Sequence, residues 1–235
     1  MRRKPNPEQR RRELCDAAIR LLADDGVKGV SHLKIDRKVA VPDGTTSFYF
    51  RTRSALLLAV AERVAELDLQ ELTVATERTP DTSVGAHPSP SGLATLVIRS
   101  ATGASLMRTK ARNELALQAA RDPVLDEALR RYTDTFFALI RDAVVQLQAG
   151  DADPDAALVD EQAYVVMMFI SGVLFGFTGG DRRIRTAEEL DRLISGIVVG
   201  VGTVRTQHEP ARANTPQRSS SSPTAGRRSR PRSRA

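Results

Sequence analysis

Residues 31–53 read S-H-L-K-I-D-R-K-V-A-V-P-D-G-T-T-S-F-Y-F-R-T-R, and the turn at their centre decides the fold. Ser31 can cap a short helix whose buried side is Ile35 and Val39, four residues apart, with Lys34, Arg37 and Lys38 left outside. Pro42 disfavours helix at Val41 and fixes the start of a second helix, where Asp43 stands ready to accept bonds from free amides. That second helix covers about residues 44–50. Gly44, Thr45, Thr46 and Ser47 at its start are small and offer hydroxyls to phosphates and base edges, with the bulkier Phe48 and Tyr49 after them. Arg51 and Arg53 follow as cations able to clamp phosphates. Two short helices, a tight turn and adjacent cations make a helix-turn-helix pattern, although the spacing also fits a solvated helix pair in some other all-helical domain.

The flanks extend the pattern. Asn6-Pro7-Glu8-Gln9 places a cap residue, a first-turn proline and a glutamine in the order of a helix start. Leu14, Ala17, Ala18, Leu21 and Leu22 form the apolar stripe of that helix, and Gly26 ends it. Downstream, Ser54 is expected to cap a long amphipathic helix carrying Leu56, Leu57, Val60, Ala61, Val64 and Leu67 on one side.

From about Arg12 to Val64 the chain resembles the TetR family of bacterial transcriptional regulators. The residues that carry the likeness are A-A-I-R-L-L, Gly26, Ser31, Ile35 and V-P-D-G-T-T-S-F-Y-F-R-T-R-S-A-L-L, which is similar to the family's V-S-x-G-T-L-Y-x-Y-F-x-S-K-x-x-L-L. The resemblance implies an all-α protein: a three-helix DNA-binding head followed by a helical ligand-binding and dimerisation domain. It also implies that Thr45, Tyr49 and Arg53 contact phosphates and that Asp43, Gly44 and Phe48 face base edges, with Ser31, Lys34, Lys38, Thr46 and Ser47 completing the DNA-facing set. Departures from the pattern are Ser47 for a tyrosine, Asp36 for an alanine and Ala40 for a glycine. Thr46 and Ser47 fit a subgroup reading G-T-T-S-x-Y-F-R-T-R, an altered contact set. Asp36 has two readings, pairing with Arg51 or Arg53 or simply solvated.

Charge divides the chain in three. Residues 1–65, 66–205 and 206–235 carry net charges of +6, −6 and +6. A basic head on an acidic body presents one end to a polyanion, and the steering should weaken with salt. On this basis residues 1–53 are read as arm and head, 54–205 as the regulatory and dimerisation domain, and 206–235 as a disordered Ser/Arg/Pro tail without an apolar stripe. The seven tail arginines are a second DNA contact or a solvated extension. The basic runs Arg2-Arg3-Lys4 and Arg10-Arg11-Arg12 are a groove-seeking arm or solvated charge. The single Cys15 excludes an intrachain disulfide, and the basic, polar start has no signal-peptide pattern, so a cytoplasmic protein is expected. Residues 163–180 are uncharged, but their glycines and missing aromatic belt favour a buried helix over a membrane span.

The remaining pattern is helical throughout. A Pro- and Ser-rich loop covers residues 79–91, Ser91 can cap a helix with Leu93, Leu96, Val97 and Ala101 inside, and Asp122-Pro123 opens another. Helices over about residues 104–121, 123–150, 154–179 and 187–204 follow from the same periodicity. The last two bear Gly172, Gly176, Gly196 and Gly200 at four-residue steps, a face suited either to a two-fold interface with a second copy or to packing inside one subunit. Leu106, Met107, Leu117, Tyr132, Phe136, Phe137, Met167 and Met168 are candidates to line a small-molecule effector site, or are plain core. His32, His87 and His208 are too scattered for a metal site or a catalytic triad, and no phosphate-loop pattern follows a strand. The expectation is a dimeric, DNA-binding, ligand-responsive regulator with no enzyme activity, cofactor or metal; a helical interaction protein with a degenerate head is the alternative.

Overall fold

Asn6 caps the first helix, its side chain accepting from the Gln9 amide at 2.7 Å ahead of Pro7. The computed structural model describes residues 6–77, 91–148 and 155–208. Among these every regular element is α-helical: α1 Pro7–Gly29, α2 His32–Val39, α3 Thr45–Tyr49, α4 Arg53–Glu77, α5 Gly92–Arg99, α6 Gly103–Ala119, α7 Pro123–Leu147, α8 Ala156–Thr178 and α9 Ala187–His208. The expected loop over residues 79–91 lies almost wholly outside the described residues, as do Arg2-Arg3-Lys4, His87 and the tail beyond His208. α9 itself runs three residues past the anticipated boundary at 205.

Local chemistry explains most helix ends. Ser31 accepts from the Lys34 amide, Ser91 from the Ala94 amide at 3.1 Å, and Asp122 from the amides of Val124 and Leu125. Gly26 breaks α1 with φ 68 and ψ −175, after which one more turn leads to Val30. Two expected caps are wrong. Thr52, not Ser54, accepts from the Ala55 amide at 3.1 Å, while Ser54 donates to Asp122 at 2.5 Å, joining the start of α4 to the start of α7. Asp43 does not cap α3; that helix begins after Gly44, which has φ 92 and makes no side-chain cap.

Two apolar cores hold the molecule. The first joins Leu14, Ala18 and Leu22 of α1, Ile35 and Phe50 of the head, Leu56, Leu57 and Val60 of α4, and Ala111, Leu115 and Leu125 of α6 and α7. The second joins Val97, Ile140, Val144, Val166, Ile170, Leu190 and Ile194 across α5, α7, α8 and α9. The head therefore has no core of its own: α1 packs on α6 as well as on α4 and α2. α8 is long and apolar enough to cross a membrane by length and composition, yet Val159, Ala163, Val166, Ile170 and Phe177 along it are buried in the second core.

Candidate functional site

The head presents α3 by burying one side of it. Phe50 is sunk in the first core, its carbonyl 2.8 Å from His32 Nε2, and Arg11 lies 4.6 Å over its ring while donating to the Tyr49 carbonyl at 3.2 Å. The opposite side of α3 is open. Ser47 is exposed, Phe48 is 74% exposed, and a side chain added at Gly44 would meet nothing within 4 Å. Thr45 is half-buried, its hydroxyl donating to the Pro42 carbonyl at 2.6 Å, and Asp43 is exposed beside it. Tyr49 is half-buried against the core, edge-on to Phe48 with ring centroids 5.3 Å apart. Lys34 and Lys38 sit on the exposed side of α2, 3.7 Å from Asp25 and Asp24 respectively.

Three expected positions need correction. Thr46 is fully buried and cannot meet DNA: its amide and hydroxyl donate to Asp36 Oδ1 at 2.7 and 2.5 Å. Asp36 is neither solvated nor paired with Arg51 or Arg53; it is fully buried, and its other oxygen accepts from the Gly44 amide at 2.8 Å. The carboxylate on α2 thus supplies the cap that α3 lacks, satisfying free amides at the end where helix dipole and anion attract. Arg53 donates to the carbonyls of Val30, at 2.6 Å, and Val27, so its guanidinium ties the start of α4 to the end of α1. No helical periodicity points to these three contacts, since each joins residues that are distant in sequence.

Beneath the head, a cavity of about 740 Å³ opens between α4, α5, α6, α7 and α8. Of the candidate effector-site residues, Tyr132, Phe136, Met167 and Met168 line it. Leu106 and Phe137 pack against the second core instead, Met107 is half-buried away from the lining, and Leu117 is 73% exposed on the outer face of α6. Sequence reading missed the polar floor. Asp68 accepts from Arg108 at 2.8 Å, from Arg112 and from the Tyr132 hydroxyl at 3.0 Å, and Glu71 accepts from Arg108 and from Ser105. Burial pushes the Tyr132 phenol up, so it remains a donor to Asp68. The signal was available as acids three residues apart on α4 facing arginines four residues apart on α6.

Asp68 and Glu71 are both paired, and the buried side-chain polar atoms left without a partner among the described residues are donors. Arg112 Nε and Asn113 Nδ2 are buried with no hydrogen-bond partner, and both residues belong to the cavity wall. The next residue, Glu114, accepts from the Val27 amide at 2.9 Å and lies against Gly26, so α6 holds the end of α1 directly.

Residues 89–200 match the family described as tetracyclin repressor-like, C-terminal domain. The carboxy-terminal half is therefore similar to a TetR-type domain over those residues. The likeness of the whole fold agrees: a protein named as a TetR-family transcriptional regulator from Rhodococcus sp. superposes with a TM-score of 0.59 at 18% identity, over 83% of this chain and 98% of that one. A protein named as a transcriptional regulator from Pseudomonas aeruginosa PAO1 gives 0.65 at 20% identity, over 87% and 95%. Another, from Saccharomonospora viridis and in complex with choline, gives 0.63 at 15% identity, over 82% and 96%. At these identities the superpositions establish a shared TetR-type fold. No curated protein matches the chain in sequence.

Proposed function

We propose that this chain is a homodimeric, ligand-responsive transcriptional repressor that reads a palindromic operator through α3. The observation that carries the reading is the division of α3 into an anchored side, Thr46 and Phe50, and an open side, Gly44, Ser47 and Phe48, on a head of net charge +6. A short helix fixed this way can lie in a major groove, with Ser47 and Phe48 against base edges and Lys34, Lys38, Ser31 and Thr45 near phosphates. Asp43 and Tyr49 flank the same surface.

One five-residue helix reads little sequence, so specificity requires a second copy. The exposed face of α8 and α9 supports that arrangement: Phe175 and Val199 are each 68% exposed, and Gly172, Gly196 and Gly200 have open space beside them. Residues this apolar on two adjacent helices favour burial against a two-fold mate, with glycines allowing close approach. The cavity suits a largely apolar effector whose polar group accepts hydrogen bonds, because the buried donors of Arg112 and Asn113 are unpaired while Asp68 and Glu71 are not. Effector control is then linkage: a molecule that prefers the arrangement with misaligned heads weakens operator binding by its differential affinity, and a near-complete switch needs about a ten-thousandfold preference. Glu114, adjacent in sequence to Asn113, is placed to pass a shift of α6 to the head.

Selection from a random double-stranded library by the full chain tests the reading. A two-fold symmetric consensus, bound far more tightly than random duplex at moderate salt, is the expected result. Retention that is sequence-blind and vanishes with salt would favour the degenerate-head alternative instead.

A further inference from the structure

We infer that Asp36 is a positioning residue for operator reading, acting with Thr46 as an exchanged pair that sets the orientation of α3. The inference rests on the reading of α3 as the DNA-contacting helix. Three observations carry it. Asp36 is fully buried in the head, where an unpaired carboxylate would be costly, and it makes three short bonds, to the Gly44 amide, the Thr46 amide and the Thr46 hydroxyl, at 2.8, 2.7 and 2.5 Å. α3 has no side-chain cap of its own, since Gly44 at the cap position bears no side chain and the exposed Asp43 before it does not bond the helix amides. Finally, the two residues depart together from the pattern the head otherwise resembles: aspartate stands for alanine at 36 and threonine for leucine at 46. A charge-assisted polar contact between α2 and α3 stands here where the resembled pattern has two apolar residues.

The physical consequence is directional. An alanine–leucine contact fixes how far α3 stands from α2 but tolerates rotation, because dispersion is not angular. The carboxylate instead specifies the direction of two amides and a hydroxyl, so it fixes the rotation of a helix only five residues long, Thr45–Tyr49. Rotation decides whether Ser47 and Phe48 meet base edges. Ser47 stands where the resemblance has a larger tyrosine, so the open face is smaller, and its reading depends more strictly on orientation.

The test uses the full chain with Asp36→Asn, Asp36→Ala, Thr46→Leu, Thr46→Ser and the double variant Asp36→Ala with Thr46→Leu. Each is measured by thermal unfolding and by affinity for the operator selected by the natural chain, relative to random duplex of equal length. Asp36→Asn keeps the volume but turns an N–H toward the Gly44 amide, and it should lower the operator-to-random ratio about tenfold while leaving random-duplex affinity within about twofold, a tenfold loss being ~1.4 kcal/mol. Thr46→Ser keeps the hydroxyl and should leave the ratio within about twofold. Both single apolar variants should lose thermal stability, and the double variant should recover much of it. An unchanged ratio in Asp36→Asn and Asp36→Ala would overturn the positioning role. Strict additivity of the single variants in the double would overturn the exchange. A natural chain that enriches no sequence defeats the functional reading and the positioning role with it, whereas the stability cycle still separates a real clamp from an incidental contact.

Discussion

Ala40 shows how a single side chain can sit against the preference of its backbone. It ends α2 in the left-handed region at φ 56, and it is the only non-glycine residue with positive φ among the described residues. A Cβ there crowds the following carbonyl, which explains why the resembled pattern has glycine. Ala40→Gly relieves about 1–2 kcal/mol of crowding but loosens the unfolded chain, so a net gain of about 0.5–1 kcal/mol, read as a Tm higher by a few degrees, is expected. A lower Tm would mean the turn depends on the alanine. Asn113 carries the opposite lesson, a polar group without a partner at a half-buried wall. Asn113→Leu removes an unsatisfied donor and should raise stability by about 1 kcal/mol in thermal or urea unfolding. It should also weaken any effector that pairs with that amide, so a destabilised variant would count against the donor being orphaned.

Among elements, the informative contacts join helix ends. Ser54 at the start of α4 donates to Asp122 at the start of α7, Arg53 bonds the carbonyls ending α1, and Glu114 of α6 takes the Val27 amide. The Ser54 hydroxyl, followed by the Leu125 amide, holds the Asp122 carboxyl below its usual range. The folded value is the lower one, so this contribution is present at neutral pH and lost as the pH falls through the ordinary carboxylate range toward the folded value. Ser54→Ala should move the Asp122 titration upward, as followed by carboxyl-carbon NMR, and flatten the acid limb of Tm against pH. An unmoved Asp122 titration would show that the serine contributes nothing to the joint. The caps at Asn6, Ser31, Ser91 and Asp122 were legible in the sequence because a cap and its helix are neighbours along the chain. The ties through Asp36, Arg53 and Glu114 were not, because their partners lie 8 to 87 residues away.

For the whole molecule, the two ends of the bundle are set up differently: a basic head shares its core with α4, α6 and α7, while α8 and α9 leave apolar side chains in the open. Val199→Glu places a charge at a residue that is 68% exposed, so the isolated subunit should fold unchanged. If α8 and α9 pair with a second copy, light scattering coupled to size exclusion should show the variant moving from dimer to monomer, with a fall in operator affinity. A monomeric natural chain at micromolar concentration would remove the interface from the proposal. Burial should keep Cys15 out of any such assembly chemistry, since it pushes the thiol up to about 12 and leaves little thiolate at neutral pH.

The sequence by itself determined the helices, most of their caps, the turn in residues 31–53 and the polarity of the chain, because these follow from spacing, backbone preference and summed charge, all local or additive quantities. Only the tertiary structure decided that Thr46 faces inward, that Asp36 caps a helix it does not belong to, and that four of the eight expected pocket residues line the cavity. Those outcomes depend on which faces of different helices meet. Burial and hydrogen-bond satisfaction are properties of that meeting, and no periodicity within one helix encodes them.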